Sequence, residues 1–478
     1  MRICLINPAW TFCSPGDVIL SNNLGICYLA SYLQKYGGHE IQIVDGLVEG
    51  FDQRRVLEDG TIKVGLTDEE IIKRIDLTQD MIGITVPFSY LAKSAEELCR
   101  CIKRVFPDTP IIMGGVHPST SPELFQESAA DYWLRGEGEM ALLALANGTP
   151  AKEIQGLMSS EKPVLHPKEK AEQVGKLDDI PVPARDLLPM DLYKKLSPRR
   201  VSHTTSASLI TSRGCPWDCE FCSIHPMYGY KWRMHSADYV LAEVRELVER
   251  WGVRGLEFED DNLTIDYDRT IEIFEGLCKL QEELGVKLTW GTPNGIRGDR
   301  TLDRDMLGLM KRSGCVRLTF ALEHADERVR ESMQKRLDVE TFERNLRDAC
   351  DLGLFVEVFA MVGYPGETQE CFETSRKYYR QLSEWGVNVM HFFYPNPYPG
   401  TQLYDLCKEK GYLVVDENAL FPRVKIETED FDTAEVIRRR EILLSEFDRT
   451  YKLRQRVKAI VPQHVINLAN RYFPRKQM

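Results

Sequence analysis

Short apolar segments alternate with helical segments along two long stretches of this 478-residue chain. In the first stretch the apolar segments are residues 2–6, 40–45, 81–86 and 110–113, and the main helical patterns are 24–37 and 92–105. Apolar strands that alternate with helices form parallel sheets, because a connection between parallel strands needs a crossover of helical length. We therefore predict an α/β fold that begins with a doubly wound, Rossmann-like parallel sheet over residues 1–145.

The second stretch repeats a strand-then-helix unit six times. Its predicted strands are 209–211, 255–259, 287–290, 316–321, 355–360 and 387–393. Six such repeats predict a partial (β/α)6 barrel over residues 203–410. Residues 146–202 show little periodicity and read as an ordered linker, and residues 411–478 read as a helical C-terminal region with a break at Pro462.

Three cysteines follow the first strand of the predicted barrel, in the run Arg213-Gly-Cys215-Pro-Trp-Asp-Cys219-Glu-Phe-Cys222. Loops at the carboxyl ends of parallel strands carry the chemistry in α/β folds. A [4Fe–4S] cluster takes one thiolate for each iron, so three thiolates leave one iron open to a ligand. A structural zinc loop is the alternative, but closed zinc sites use four ligands, usually as two cysteine pairs, and no second pair follows here.

The cysteine loop, with an aromatic residue at Phe221 just before the third cysteine, resembles the signature of the radical S-adenosylmethionine (SAM) superfamily. The resemblance covers about residues 203–410. It implies a [4Fe–4S] cluster on Cys215, Cys219 and Cys222, and SAM bound through its amino and carboxylate groups to the open iron. It also implies reductive cleavage of SAM and an external electron donor of the flavodoxin or ferredoxin type.

Further motifs at the predicted strand ends are candidates for contacts with SAM. The resemblance assigns this role to Phe221, Glu259, Asp260, Asp261, Arg297, Glu323, Gly363, Pro365 and Gly366. Each has a simpler interpretation as well: Asp261 as part of a helix N-cap, Arg297 as half of an ion pair, and Pro365-Gly366 as a turn. His324 reads as a hydrogen-bonded core histidine.

The N-terminal unit resembles the cobalamin-binding domain that precedes some radical SAM barrels. The resemblance rests on Gly114-Gly-Val-His-Pro118 and Arg135-Gly-Glu-Gly-Glu139. The cobalamin contacts that it implies, together with the strand ends of the sheet, are Asn7, Thr85, Gly114, Gly115, Glu137 and Gly138. Many such domains carry the motif D-x-H-x-x-G, whose histidine binds cobalt from below. This chain lacks the motif, so we expect no histidine on the lower face of the cobalt.

Charge and cysteine usage limit the partners. A net charge of −12 argues against nucleic-acid binding, although residues 436–478 carry 11 Lys or Arg against 3 Asp or Glu. We interpret this basic tail as helices that dock on an acidic body; weak association with membranes is the alternative. No apolar run approaches the roughly 18 residues of a membrane span. Scattered cysteines without a signal peptide predict a cytoplasmic protein.

Together these features predict a cobalamin-dependent radical SAM methyltransferase. The acceptor would be an unactivated carbon or a phosphorus atom of a small-molecule or lipid-like substrate. Two alternatives stay open: a cyclase or rearrangement enzyme with the same cofactors, and a non-catalytic module that senses cobalamin or redox state.

Overall fold

The computed structural model describes residues 1–12, 20, 23–58, 60–159, 169–196, 205–414 and 424–447. The chain separates into two units. The N-terminal unit comprises residues 1–198 and 223–233, and the C-terminal unit comprises residues 199–222 and 234–478. Pro462 and the basic tail from residue 448 onward lie outside the described residues.

The N-terminal unit is built on a six-stranded sheet in the order β3-β1-β6-β7-β8-β9. The strands of this unit are β1 (Arg2–Asn7), β2 (Trp10–Phe12), β3 (Glu40–Asp45), β4 (Arg54–Val56), β5 (Ile62–Val64), β6 (Met81–Thr85), β7 (Ile111–Gly114), β8 (Tyr132–Leu134) and β9 (Leu157–Ser159). The neighbours from β3 to β8 pair in parallel, which confirms the predicted sheet. Strand β3 lies on one side of β1, and β6, β7 and β8 follow in order on the other side, so the strand order reverses between β1 and β6.

Two parts of this unit were not predicted. Strands β2, β5 and β4 form a small antiparallel sheet, and each is three residues long, which is too short for an alternating pattern to show. Strand β9 pairs antiparallel with β8 and lies in the segment interpreted as a linker. The structure also differs from that interpretation at helix α7, because the hydroxyl of Tyr193 donates to the buried Asp45 carboxylate over 2.5 Å.

Helices connect the strands of both units. In the first 233 residues they are α1 (Leu24–Gly37), α2 (Gly46–Glu49), α3 (Asp68–Ile72), α4 (Ala92–Val105), α5 (Val116–Thr120), α6 (Glu139–Ala146), α7 (Met190–Leu196) and α8 (Ile224–Tyr228). Thereafter they are α9 (Ala237–Trp251), α10 (Tyr267–Leu284), α11 (Arg304–Arg312), α12 (Glu327–Ser332), α13 (Val339–Asp351), α14 (Gln369–Glu384), α15 (Gln402–Lys410) and α16 (Thr433–Phe447).

The C-terminal unit contains a six-stranded, all-parallel sheet in the order β10-β13-β14-β15-β16-β17, as the predicted partial barrel requires. The remaining strands are β10 (Ser206–Leu209), β11 (Ser212–Arg213), β12 (Arg233–Met234), β13 (Gly255–Phe258), β14 (Thr289–Gly291), β15 (Cys315–Glu323), β16 (Val356–Met361) and β17 (Val389–Phe393). Buried aromatic side chains fill the space under the sheet; the rings of Phe274 and Trp290 stack at 4.6 Å. Aspartate side chains cap the helices that follow, such as Asp266 at α10 and Asp303 at α11.

Helix α16 begins the basic region and docks on its own unit. Arg439 is 1% exposed and pairs with Glu367 and Glu435, while Arg440 donates to the carbonyl of Phe392. The described part of the basic region therefore uses its arginines in internal contacts, as the docking interpretation predicts. Among the described residues, none of the helices combines the length and the apolar character that crossing a membrane requires.

Candidate functional site

The cysteine loop begins where β10 ends and is held at its start by one buried carboxylate. Asp260 is 2% exposed and accepts hydrogen bonds from the backbone and hydroxyl of Thr211 and from the hydroxyl of Ser212. Burial raises the pKa of Asp260 even though these bonds and the charge of Arg269 oppose it. The carboxylate of Asp260 therefore holds the start of the cysteine loop, and its predicted contact with SAM stays a prediction.

Two neighbours of Asp260 differ from it. Glu259 is half-buried and accepts a hydrogen bond from the hydroxyl of Ser208 over 3.2 Å. Asp261 is half-buried as well; burial and the charge of Asp260 raise its pKa to about 7, against a hydrogen bond from the Gly214 N–H. Asp261 can therefore hold or release a proton near neutral pH beside the first cysteine.

The three cysteines of the loop are half-buried thiols that form no disulfide bond. The amide of Asn262 lies 3.2 Å from the sulfur of Cys215, and burial raises the pKa of that thiol to about 11. Asn262, one position after Asp261, was not among the residues predicted to belong to the site. An amide N–H directed at a sulfur is the kind of contact that stabilises a metal-bound thiolate.

The donor set fits an iron–sulfur cluster better than a zinc ion. Among the residues that the structure describes, no group of three or more His, Cys, Asp or Glu side chains is placed to hold one metal ion. A zinc loop needs its ligands to converge on one point, whereas each thiolate of a [4Fe–4S] cluster binds a different iron. Three thiols on one loop supply the ligand set of such a cluster, whereas a closed zinc site would need a fourth ligand.

The guanidinium of Arg297, which was predicted to bind a carboxylate of a ligand, binds other residues of the C-terminal unit. It forks onto Asp299 with bonds of 3.0 and 3.1 Å, donates to two backbone carbonyls, and lies 4.5 Å from the ring centroid of Trp217 in the cysteine loop. Nε and Nη2 of Arg297 are thus paired within the C-terminal unit, and the guanidinium packs on Trp217 of the loop; its predicted contact with SAM stays a prediction.

Glu323 ends β15 in an unusual conformation. Its φ is +67°, a backbone region that residues other than glycine rarely adopt. A register shift interrupts the pairing of β15 with β16 just before Glu323. Its carboxylate accepts from the ammonium of Lys335 over 3.0 Å. Strained residues of this kind are concentrated at functional sites, so the predicted SAM role of Glu323 remains a proposal.

The glycine-rich turn after β16 differs from its predicted role. Gly363 has a φ of +83°, and a Cβ there would meet Val436 of α16 at 2.6 Å, so its small size serves internal packing. The buried Glu367 carboxylate accepts from the Gly363 N–H and lies 3.5 Å from Nε2 of His324. Pro365 is buried, whereas Gly366 is exposed and a Cβ there would meet nothing within 4 Å, so only Gly366 of this turn remains open to a ligand.

Glu220, which the sequence analysis did not single out, holds the cysteine loop through both its backbone and its side chain. Its backbone N–H donates to Met333 and its carbonyl accepts from the Leu403 N–H, both over 3.0 Å. Its carboxylate accepts from Gln334 at 2.9 Å and from the hydroxyl of Tyr364 at 3.2 Å. Phe221, predicted to contact SAM, packs partly buried against the apolar cluster that contains Tyr364 and Leu403.

In the N-terminal unit, two of the residues predicted to bind cobalamin are engaged elsewhere. Asn7 is 1% exposed; its amide donates to Asp45 over 2.8 Å and its carbonyl accepts from Trp10 over 3.0 Å. Glu137 is 2% exposed and pairs with the buried Arg233. Both side chains are thus paired with residues of their own unit, and their predicted contacts with cobalamin stay predictions.

The ends of β6 and β7 remain available. Thr85 and Gly114 are half-buried neighbours in the sheet, and a Cβ on Gly114 would meet nothing within 4 Å. Gly115 has a φ of +116°, and a Cβ there would lie 2.9 Å from the Val86 carbonyl, so glycine is required by the backbone. Gly138 lies in the loop before α6, where a Cβ would meet Leu29 at 2.8 Å.

Two buried polar atoms in and just after α5, the helix that follows Gly115, have no hydrogen-bond partner among the described residues. They are Nδ1 of His117 and Oγ of Ser121. Burial lowers the pKa of His117 to about 4, so the ring is neutral at physiological pH. Open space beside glycine and orphaned polar atoms is what a site for a large polar ligand provides, and these residues fit a cobalamin.

An aromatic cluster that the sequence analysis missed lies after β1 and β6. Phe88 is 43% exposed, stacks on Tyr90 at 5.2 Å and meets the edge of Trp10 at 5.5 Å. Strands β1 and β6 are the pair at which the strand order reverses, which is where ligands bind in open parallel sheets. The sequence signal for this cluster was the presence of aromatic residues just after strands β1 and β6.

Comparison with known families agrees with both units. A model of the radical SAM superfamily matches residues 209–379, and a model of the B12 binding domain matches residues 20–146.

Curated relatives extend over most of the chain. An uncharacterized methyltransferase of Pyrococcus horikoshii is 30% identical over 397 residues, which span 82% of this chain and 79% of the relative. The cytidylyl-2-hydroxyethylphosphonate methyltransferase of Streptomyces wedmorensis is 29% identical over 453 residues, 87% of this chain and 83% of the relative. The anaerobic magnesium-protoporphyrin IX monomethyl ester cyclase of Rubrivivax gelatinosus is 25% identical over 423 residues, 86% of this chain and 70% of the relative.

The fold is shared with a solved enzyme. The cobalamin-dependent S-adenosylmethionine radical enzyme OxsB, with aqua-cobalamin and S-adenosylmethionine bound, superposes with a TM-score of 0.70 at 19% identity over 98% of this chain and 72% of that chain. With both family models matched and a 30% identical relative along most of its length, the chain belongs to the radical SAM superfamily, in the branch whose members carry a B12 binding domain.

Proposed function

We propose that this enzyme transfers a methyl group from SAM, by way of cobalamin, to a carbon or phosphorus atom of a small-molecule substrate. The observation that carries the proposal is the loop of three half-buried thiols, outside any disulfide, at the carboxyl end of β10. Such a loop leaves one iron of a cluster open to SAM. The phosphonate methyltransferase similar to 87% of this chain supports methyl transfer as the reaction.

Each group would be held by residues of this chain. The thiols of Cys215, Cys219 and Cys222 are the cluster ligands, and Thr85, Gly114 and Gly115, with the orphaned atoms of His117 and Ser121, line the strand ends where cobalamin would bind. When bound, the cluster, SAM and cobalamin supply the one-electron chemistry and the methyl group.

The chain's own part in the reaction is orientation and charge. Asp260 fixes the start of the cysteine loop, and Asn262 directs an N–H at the sulfur of Cys215. Asp261 takes no part in these two contacts, and we propose that its carboxylate binds the amino group of SAM. Its pKa of about 7 falls in the range where binding an ammonium group would favour the ionised carboxylate.

Cyclisation without methyl transfer is the second candidate, because the Rubrivivax gelatinosus cyclase is similar to 86% of this chain. A non-catalytic sensing module has no such support, since these relatives are named as enzymes. A one-electron donor of the flavodoxin or ferredoxin type completes the proposal, and the arginines of α16 that pair internally favour a small-molecule substrate over a lipid surface.

Product analysis distinguishes the two reactions. The protein is reconstituted anaerobically with iron, sulfide and hydroxocobalamin, then reduced and mixed with SAM that carries a deuterated methyl group; cytidylyl-2-hydroxyethylphosphonate is the first acceptor to try. Methyl transfer predicts S-adenosylhomocysteine together with 5′-deoxyadenosine, and deuterium in the product. 5′-Deoxyadenosine without S-adenosylhomocysteine would favour cyclisation, and a protein that retains no cobalt would remove the role of the N-terminal unit.

A further inference from the structure

Residues 333–336, here called the strap, connect α12 to α13 and lie against the cysteine loop. The carbonyl of Met333 accepts the Glu220 N–H over 3.0 Å, and the amide of Gln334 donates to the Glu220 carboxylate over 2.9 Å. Arg336 donates to Asp218 over 3.1 Å. Since Asp218 and Glu220 are the two neighbours of Cys219 in the chain, the strap holds that cysteine from both sides.

The strap keeps a strained backbone to do so. Gln334 and Arg336 have φ values of +54° and +45°, a region that residues with a Cβ atom rarely adopt. The guanidinium of Arg297 donates to the carbonyls of Lys335 and Arg336 over 2.7 and 2.6 Å. Two carbonyls captured by one buried cation fix the turn in this shape, because neither peptide can rotate without losing a charge-assisted bond.

Between the two strained residues lies a buried cation. Lys335 is 5% exposed, and its ammonium is 3.0 Å from the carboxylate of Glu323, itself held at a positive φ. A buried ammonium is costly unless it is paired, so this geometry is specified on both sides. Lys335 lies between Gln334 and Arg336, which bind the two chain neighbours of Cys219, so its charge belongs to the segment held against that cysteine.

We propose that the strap holds Cys219 in the conformation its cluster requires, and that Lys335 is a positioning residue whose buried charge raises the reduction potential of that cluster. A positive charge nearby stabilises the more negative, reduced state, and local charge and hydrogen bonds are among the factors that set cluster potentials. Ease of reduction matters here, because the cluster must accept an electron before SAM can be cleaved. The inference rests on the proposed function in that it requires the cluster.

The charge is tested by redox titration of the reconstituted protein without SAM, followed by electron paramagnetic resonance. We expect Lys335→Met to lower the midpoint potential, Lys335→Arg to restore it, and Glu323→Gln to raise it. The matched control is Lys63→Met in the N-terminal unit, a lysine whose side chain is 11% exposed and paired with Asp68, which should leave the potential unchanged. If these changes only loosened the cluster, its midpoint potential would shift in the same direction in Lys335→Met and Glu323→Gln. That result would contradict the role of the charge.

The strap is tested by the rate at which the cluster loses iron to a chelator. We expect the double variant Gln334→Ala and Arg336→Ala to release iron severalfold faster than wild type. Arg304→Ala is the matched control, since Arg304 is an exposed arginine of the same unit that pairs with Asp348. Unchanged potential in Lys335→Met and unchanged iron release in the double variant, in proteins with about four irons per chain, would overturn this inference alone. Wild-type protein that takes up no iron would overturn the proposed function.

Discussion

The two units use the carboxyl ends of their parallel strands in different ways. In the C-terminal unit, side chains at these ends hold one another: Asp260 binds the start of the cysteine loop and Arg297 lies under it. In the N-terminal unit, polar side chains such as Asn7 are paired elsewhere, and the ends of β6 and β7 offer glycine, backbone and open space. A cluster bonded to thiolates needs fixed side chains, whereas a large macrocycle needs room. The contrast agrees with the two cofactors proposed.

The largest effect is expected where the C-terminal site depends on covalent ligands. Cys219→Ala should abolish the cluster and reduce both 5′-deoxyadenosine and product formation to background, because a cluster with two thiolates is not retained. Iron analysis and absorbance near 400 nm measure the loss. Cys350→Ala, a half-buried thiol on α13, should bind iron like wild type. Normal iron content in Cys219→Ala would contradict the ligand assignment.

The N-terminal unit should be most sensitive to loss of its buried ion pair. Arg233→Met leaves Glu137, whose side chain is 1% exposed, without its positive partner, and should lower the free energy of unfolding by about 3–5 kcal/mol. Arg304→Ala removes an arginine that is 56% exposed and should cost less than about 1 kcal/mol. Chemical denaturation measures both. Equal effects of the two changes would mean that Glu137 is free to bind a ligand after all.

The neutral state of His117 gives this unit a pH dependence. Its pKa falls from 6.5 in the unfolded chain to about 4 in the folded one, because burial disfavours the charged ring. Between these values the unfolded state binds more protons, so folding stability rises with pH and is lost as the pH falls from 6.5 toward 4. The total change is about 3–4 kcal/mol, since one pKa unit corresponds to about 1.4 kcal/mol.

Cobalamin-free protein and its His117→Gln variant, unfolded at several pH values, test this expectation. The difference in stability between the two should shrink as the pH is lowered through this window. A constant difference would indicate that His117 is solvated rather than buried beside the glycines.

The smallest effect on folding, with a clear effect on binding, is expected at Gly114. A Cβ there meets nothing within 4 Å, so Gly114→Val should fold like wild type and retain less cobalamin after gel filtration. Gly175→Val, at another glycine with open surroundings, is the control and should keep wild-type cobalt content. If both variants retain cobalamin equally, the open space at Gly114 does not belong to the site.

Much of this organisation could be predicted from the sequence. Helices 24–37 and 92–105 begin and end where their patterns predict, and the order of the barrel strands follows from the six repeats. The cysteine loop was identifiable because its residue types and spacing are rare and local. Periodicity reports which face of an element is buried, and these elements are long enough for it to be read.

The partners of individual side chains were not predictable. Asn7 is paired with Asp45 and Glu137 with Arg233, 38 and 96 residues away along the chain, and no local pattern records such pairs. Lys335 was missed for another reason, since nothing in Met333–Arg336 signals that two of its residues adopt a left-handed backbone. Motifs thus located the strand ends, while the atoms that remain free there depend on contacts formed only in the folded chain.

The division of the chain at residues 222 and 233 bears on how the protein can be dissected. The segment 223–233 belongs to the N-terminal unit although the superfamily match of 209–379 runs through it. A fragment ending at residue 198 therefore lacks the arginine that neutralises Glu137, and a fragment starting at residue 199 carries eleven residues that fold with the other unit. Neither fragment therefore contains one complete unit. A chimera that exchanges the N-terminal unit between relatives would have to include residues 223–233 together with residues 1–198.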